Sequence, residues 1–172
     1  MADILEKLDA GEVSRLEDAA RNIRKNLVDT IYKAGDGHPA PALSASDILA
    51  VLYFKIMKLD PKNPLWEERD RLILSKGHAC PALYSALAMK GYFPETELPT
   101  LRKINSKLQG HPDMKKTPGV DSTSGSLGNG ISVGLGMALA ARVKKLDYFT
   151  YVVTGDGELQ EGIIWEALMS AA

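Results

Sequence analysis

Apolar residues at Leu16, Ala20, Ile23, Leu27 and Ile31 recur every three or four positions, the spacing that gathers them on one face of a helix. Ser14-Arg15-Leu16-Glu17 is a capping box, so the helix is expected to begin near Ser14 and to stop at Gly35-Asp36-Gly37. The pattern predicts a second helix over 46–55, a loop through the prolines of 61–64 and a short strand at Arg71-Leu72-Ile73-Leu74. Helices are expected over 79–90, stopped by Gly91, and over 95–103. Residues 105–121 have no sustained period and several Gly and Pro residues, so they read as loop, with a third strand considered around Gly119-Val120-Asp121. A helix over 129–145 carries Gly130, Gly134, Gly136, Ala138 and Ala141, small residues that allow close backbone contact. The clearest strand is 148–154, an apolar β-branched run.

Strands alternating with helices predict an α/β domain with a parallel sheet. Two strands and a candidate third fall short of a typical sheet of about 5–6 strands. Met169-Ser170-Ala171-Ala172 has no C-cap glycine after it, so the last helix reads as cut short and the domain as unfinished. The expected division is a lead over 1–13 and one domain over 14–172.

At 172 residues with 45% apolar composition, the chain is sized for one globular domain or a piece of a larger one. A formal charge of −1 offers no basic footprint for nucleic acid or an anionic membrane. The weakly polar run over 131–141 is too short to cross a bilayer, and residues 1–7 lack the apolar core of a signal peptide, so the protein reads as cytoplasmic. The single cysteine, Cys80, sits between Ala79 and Pro81 with no charge to lower its pKa and reads as a small buried apolar residue rather than a nucleophile.

The chemistry concentrates in two patterns. Gly155-Asp156-Gly157 follows the β-branched strand and puts a carboxylate on a tight turn at the strand's carboxyl end, where open α/β sheets bind ligands. A hard cation such as Mg²⁺ takes oxygen ligands of this kind and bridges a carboxylate to phosphate oxygens. The second pattern is that each of the three histidines follows a glycine: Gly37-His38-Pro39, Gly77-His78-Ala79 and Gly110-His111-Pro112. Proline after His38 and His111 favours extended geometry there. Three loop histidines point to a polar site handling hydroxyls, phosphates or protons near neutral pH. Zinc is the competing reading, carried only by Cys80 two positions after His78. Between these patterns the glycine-rich run from Ser122 to Gly130 leads into a helix; it reads either as a turn and cap through Ser126 or Asn129, or as a cradle for an anion.

In combination these pieces resemble the N-terminal part of the transketolases, thiamine-diphosphate enzymes. In order along the chain they are Gly37-His38-Pro39, the run Asp70 to His78, Gly91-Tyr92-Phe93, Gly110-His111-Pro112, Ser124-Gly125-Ser126-Leu127-Gly128 and the run Gly155 to Gly162. The resemblance implies a diphosphate-binding α/β domain, with thiamine diphosphate held between it and a pyrimidine-binding domain. That second domain would lie on the C-terminal half or on a separate polypeptide, in a homodimer or heterotetramer. The implied reaction moves a two-carbon ketol unit from a ketose phosphate to an aldose phosphate, as in pentose phosphate metabolism. By the same resemblance, Asp156 binds Mg²⁺ and Gly157 the diphosphate, while Gly125, Ser126 and Leu127 line the cofactor. His78 touches cofactor and substrate, and His38 and His111 bond sugar hydroxyls and developing oxyanions. Glu161 is implied at the cofactor-linked dimer contact, with Glu166 extending it; alternatively Glu161 serves the helix dipole and Glu166 a solvated face. Ala40 and Asn129 stand where the family has Gly and Gln. The family's Asn pair that completes the Mg²⁺ shell is expected beyond Ala172. The alternatives are a deoxyxylulose-phosphate synthase relative and an inactive module that keeps only an interaction surface.

Overall fold

The structure is a computed structural model that describes residues 9–172. Residues 1–8 of the expected lead lie outside the described residues. The first helix, α1, runs Ala10–Ala34 and is capped by Asp9, whose carboxylate accepts the Glu12 N–H at 2.7 Å. The Ser14 capping box expected from the sequence is therefore not used. Asp9 already satisfies the first turn, and Ser14 is an exposed position inside the helix. Leu16, Ala20, Ile23 and Leu27 form the buried face as their spacing requires. The helix stops at Gly35, whose φ of 72° only glycine adopts without cost and whose N–H bonds the Ile31 carbonyl at 3.0 Å.

Helix α2 runs Pro39–Val51, begins earlier than residue 46, and continues through a π turn over Leu52–Ile56. The early start has a simple cause: Pro39 and Pro41 lie in the first turn, where missing N–H groups cost nothing, and Ala42, Ala45 and Ser46 bury a face there. Strand β1 (Arg71–Leu74), helix α3 (Cys80–Lys90), helix α4 (Asn129–Lys144), strand β2 (Thr150–Val153) and helix α5 (Gly162–Ala171) complete the order. The expected helix over 95–103 is a 3₁₀ segment, Glu95–Thr100, because Pro99 inside it removes a donor.

β1 and β2 pair in parallel with Arg71 opposite Thr150 and Leu74 opposite Val153. Leu72, Leu74 and Val153 join the core built with α1, α2 and α3. On the other face Ile73 and Val152 meet α4, which comes so close at Gly134 that a Cβ there would collide with Val152. Gly130 is pressed against Ser75 in the same way, whereas Gly136 faces open space and has no packing role. The sheet is thus covered on both sides, as a parallel sheet must be.

Gly119-Val120-Asp121 is not a third strand. Asp121, 7% exposed, instead turns its carboxylate to the edge of β1, where it accepts the Leu72 N–H at 2.8 Å and pairs with Arg69. A side chain occupies the position a neighbouring strand would take. Asp70 does related work at the start of the sheet, accepting the Lys58 and Phe149 N–H groups at 2.8 Å each. No helix among the described residues is long and apolar enough to cross a membrane. Removing one partner of a buried hydrogen-bonded charge pair costs about 3–5 kcal/mol. Asp121→Ala is therefore expected to lower unfolding stability by about 3 kcal/mol in urea denaturation, while the exposed Asp147→Ala leaves it nearly unchanged. Similar midpoints for both variants would contradict the edge role.

Candidate functional site

Because the strands are parallel, the segments that leave them emerge at one edge of the sheet. β1 delivers Ser75-Lys76-Gly77-His78, and β2 delivers Thr154-Gly155-Asp156-Gly157. Together with the first turns of α2 they enclose a cleft of about 520 Å³. It is lined by His38, Pro41 and Ser44 from the start of α2, by Lys76 and His78, and by Leu127 and the Gly155–Glu158 turn. Five residues expected from the sequence therefore meet: His38, His78, Leu127, Asp156 and Gly157. The His38 and His78 rings lie 5.4 Å apart, edge to face.

His111, Gly125 and Ser126 do not line this cleft. Gly125 and Ser126 border an adjoining hollow of about 280 Å³ with Ile73, Asn129 and Val133. His111 is exposed and rests beside Gly125, on a turn held by the Tyr84 hydroxyl, which donates to the His111 carbonyl at 3.2 Å. α4 starts after Gly128, which has a φ of 86°, with no side-chain cap, so neither Ser126 nor Asn129 serves as one. Ser124 Oγ is buried without a hydrogen-bond partner, a polar atom facing the Gly77 approach that the protein alone leaves unsatisfied. Glu161 is exposed at the N-cap of α5 with its stem against Gly128 and no capping bond, and Glu166 is exposed on the same helix.

Two residues that sequence reasoning missed hold the cleft's chemistry. Glu158 is 3% exposed, and its carboxylate accepts from the Gly128 N–H at 2.7 Å, the Gly155 N–H at 2.9 Å and the Ser75 hydroxyl. Its reach back to a backbone N–H three residues earlier is the capping-box spacing, which was the available signal. Lys76 is 8% exposed, and its Nζ donates to Ser44 Oγ at 2.9 Å. Among the described residues it makes no ion pair. Its signal was its place between strand and Gly77-His78 at the sheet edge.

Burial lowers the Lys76 pKa, against the opposing pull of Asp156 and Glu158. Burial also lowers that of His78, helped by the positive potential of His38, His111 and Lys76. Asp156 differs: it is exposed at the head of the Gly157–Gln160 3₁₀ turn, and among the described residues its carboxylate accepts no hydrogen bond. With Glu158 committed to three donors, Asp156 is left free to face a ligand. Cys80 is buried, donates to the Gly110 carbonyl at 3.2 Å, and burial pushes its thiol up to about 12, which fits neither a nucleophile nor a zinc thiolate.

Residues 16–172 match the family described as transketolase, thiamine diphosphate binding domain. The chain is 53% identical over 156 residues to a 6-deoxy-6-sulfo-D-fructose transketolase subunit of Clostridium sp., covering 91% of this chain and 57% of that protein. It is 45% identical over 159 residues to an apulose-4-phosphate transketolase subunit of Phocaeicola vulgatus, covering 92% of this chain and 56% of that one. The solved transketolase of Leishmania mexicana superposes with a TM-score of 0.84 at 37% identity, over 91% of this chain and 25% of its own. The chain thus spans little more than half the length of those two bacterial relatives. A parallel sheet edge that gathers a lysine, a free carboxylate and Gly-His turns, and a family match over nearly all its length, agree: the chain belongs to the transketolase thiamine-diphosphate-binding domain family.

Proposed function

We propose that the cleft holds the Mg²⁺-diphosphate end of thiamine diphosphate and that the protein takes part in two-carbon ketol transfer between sugars. The observation that carries this reading is the pairing of a buried, unpaired ammonium, Lys76, with the free carboxylate of Asp156 in one cleft. A buried cation is costly without a counter-charge, and a diphosphate supplies one. A carboxylate beside phosphate oxygens suits Mg²⁺. The orphaned Ser124 hydroxyl adds a polar atom in the adjoining hollow, beside Gly125 and Ser126. The donor set fits the group.

Within this reading each residue has a distinct task. Asp156 gives the metal one oxygen ligand, Lys76 neutralises diphosphate charge, and the open backbone at Gly157 lets phosphate approach. Gly125, Ser126 and Leu127 line the cofactor's ring portion. Bound thiamine diphosphate supplies the nucleophilic carbon and the electron sink of the reaction. His78 is kept neutral at physiological pH, so it accepts or donates a hydrogen bond rather than carrying charge beside the metal. His38 and His111 hold the sugar's hydroxyls and stabilise oxygen anions as charge develops. The relatives' names carry a sulfo or a phosphate group, which supports a ketose with an acidic terminus as donor.

That relatives are named as subunits supports a multi-subunit arrangement; on this reading the partner is a pyrimidine-binding second polypeptide or C-terminal half, in a cytoplasmic homodimer or heterotetramer.

Three outcomes test the reading. In the complete enzyme Asp156→Ala weakens Mg²⁺-dependent thiamine diphosphate binding by calorimetry while the unfolding midpoint is kept; wild-type affinity in that variant removes the metal role. His38→Ala and His111→Ala keep cofactor affinity and slow ketol transfer by about 10²–10⁴-fold; unchanged rates return both histidines to plain loop residues. His78 titrates below its ordinary 6.5 in a histidine proton NMR experiment. A depressed folded-state value means the folded protein binds fewer protons than the unfolded chain as pH falls through 6.5. Stability from this group is therefore present above that pH and lost below it. A midpoint at or above 6.5 contradicts the neutral assignment.

A further inference from the structure

The His38 and His111 turns come from distant parts of the chain, and their spacing decides whether both can reach one sugar. The His111 turn is anchored from α3: Tyr84 Oη donates to the Gln109 carbonyl at 2.9 Å and Cys80 Sγ to the Gly110 carbonyl at 3.2 Å. The His38 turn is held along the chain by the Gly35 cap of α1 and the proline start of α2. No backbone hydrogen bond joins the two turns among the described residues. Across the gap stands one side-chain bridge, Arg102 Nη1 donating to Asp36 Oδ2 at 2.6 Å.

Arg102 is shaped for this place. Its φ is 60°, a left-handed conformation that costs a residue with a side chain energy and persists only where surroundings enforce it. Its N–H closes the 102–108 loop on the Leu108 carbonyl at 2.9 Å. Its guanidinium packs on Gly110, where an added Cβ would stand 3.0 Å from Cζ. One side chain therefore touches the residue before His111 and binds a residue two before His38. Asp36 is 63% exposed and Arg102 28%, so the pair adds little to stability as a surface ion pair. A strained backbone supporting a bond of little stabilising value has its use in placement.

We propose that Asp36 and Arg102 form a tether that fixes the distance between the His38 and His111 turns, making both positioning residues for ketol transfer. The proposal rests on the function argued above. Displacing a reacting group by about 1 Å can cost on the order of 10²-fold in rate. In the complete enzyme Asp36→Ala and Arg102→Met each lower kcat by roughly 10–10²-fold, with thiamine diphosphate affinity and unfolding midpoint kept. The double variant is no slower than either single one. The swap D36R/R102D restores most of the rate, since aspartate tolerates the left-handed backbone at 102 better than arginine. Hydrogen–deuterium exchange in residues 36–38 and 109–112 quickens in the single variants and returns to wild-type values in the swap. Unchanged rates, additive losses in the double variant, or unchanged exchange would each overturn the tether. If the wild-type enzyme transfers no ketol unit, the functional reading falls alone, and exchange still decides the tether.

Discussion

The buried carboxylate of Glu158 is the constraint on which the site depends. Taking a carboxylate out of water is expensive unless donors surround it, and three do: the N–H groups of Gly128 and Gly155 and the hydroxyl of Ser75. Those donors belong to the end of β1, the loop after β2 and the glycine-rich run before α4. One side chain thus locks together three of the segments that bound the cleft, α2 supplying the remaining wall. Glu158 takes the turn's Gly155 N–H, while Asp156 stays exposed with its carboxylate accepting no hydrogen bond among the described residues.

The electrostatics follow from that lock. Lys76 donates to Ser44, and in the cleft two histidines and this lysine face two carboxylates, Asp156 and Glu158. Burial pushes the Lys76 and His78 pKa values downward; His38, His111 and Lys76 add to the shift at His78, while Asp156 and Glu158 oppose it at Lys76. On the proposed reading, a diphosphate would give the buried Lys76 ammonium its counter-charge.

Much of this was legible in the chain. The periodic stripe of α1, both parallel strands, the convergence of His38, His78 and Asp156, and the inert buried Cys80 all follow from residue type and spacing. Local competition obscured the rest. Asp9 pre-empted Ser14 as a cap, Pro39 opened α2 early, and Pro99 tightened a helix into a 3₁₀ turn. Gly119-Val120-Asp121 was considered as a strand, and in its place the Asp121 carboxylate accepts the Leu72 N–H at the β1 edge. Glu158 and Lys76 were hidden because their roles are set by what folds over them from distant segments, which spacing does not reveal.

The most direct test of this account isolates the Glu158 carboxylate. Glu158→Gln keeps the side chain's size but replaces one acceptor oxygen with a donor amide, which cannot accept from all three groups. In the complete enzyme, calorimetric titration with Mg²⁺ and thiamine diphosphate should show affinity reduced by at least about tenfold, on the scale of 1.4 kcal/mol, for Glu158→Gln. The same measurement on Asp147→Asn, an exposed carboxylate after α4, should match wild type. Equal affinity in Glu158→Gln and wild type would contradict the claim that this carboxylate holds the cleft together.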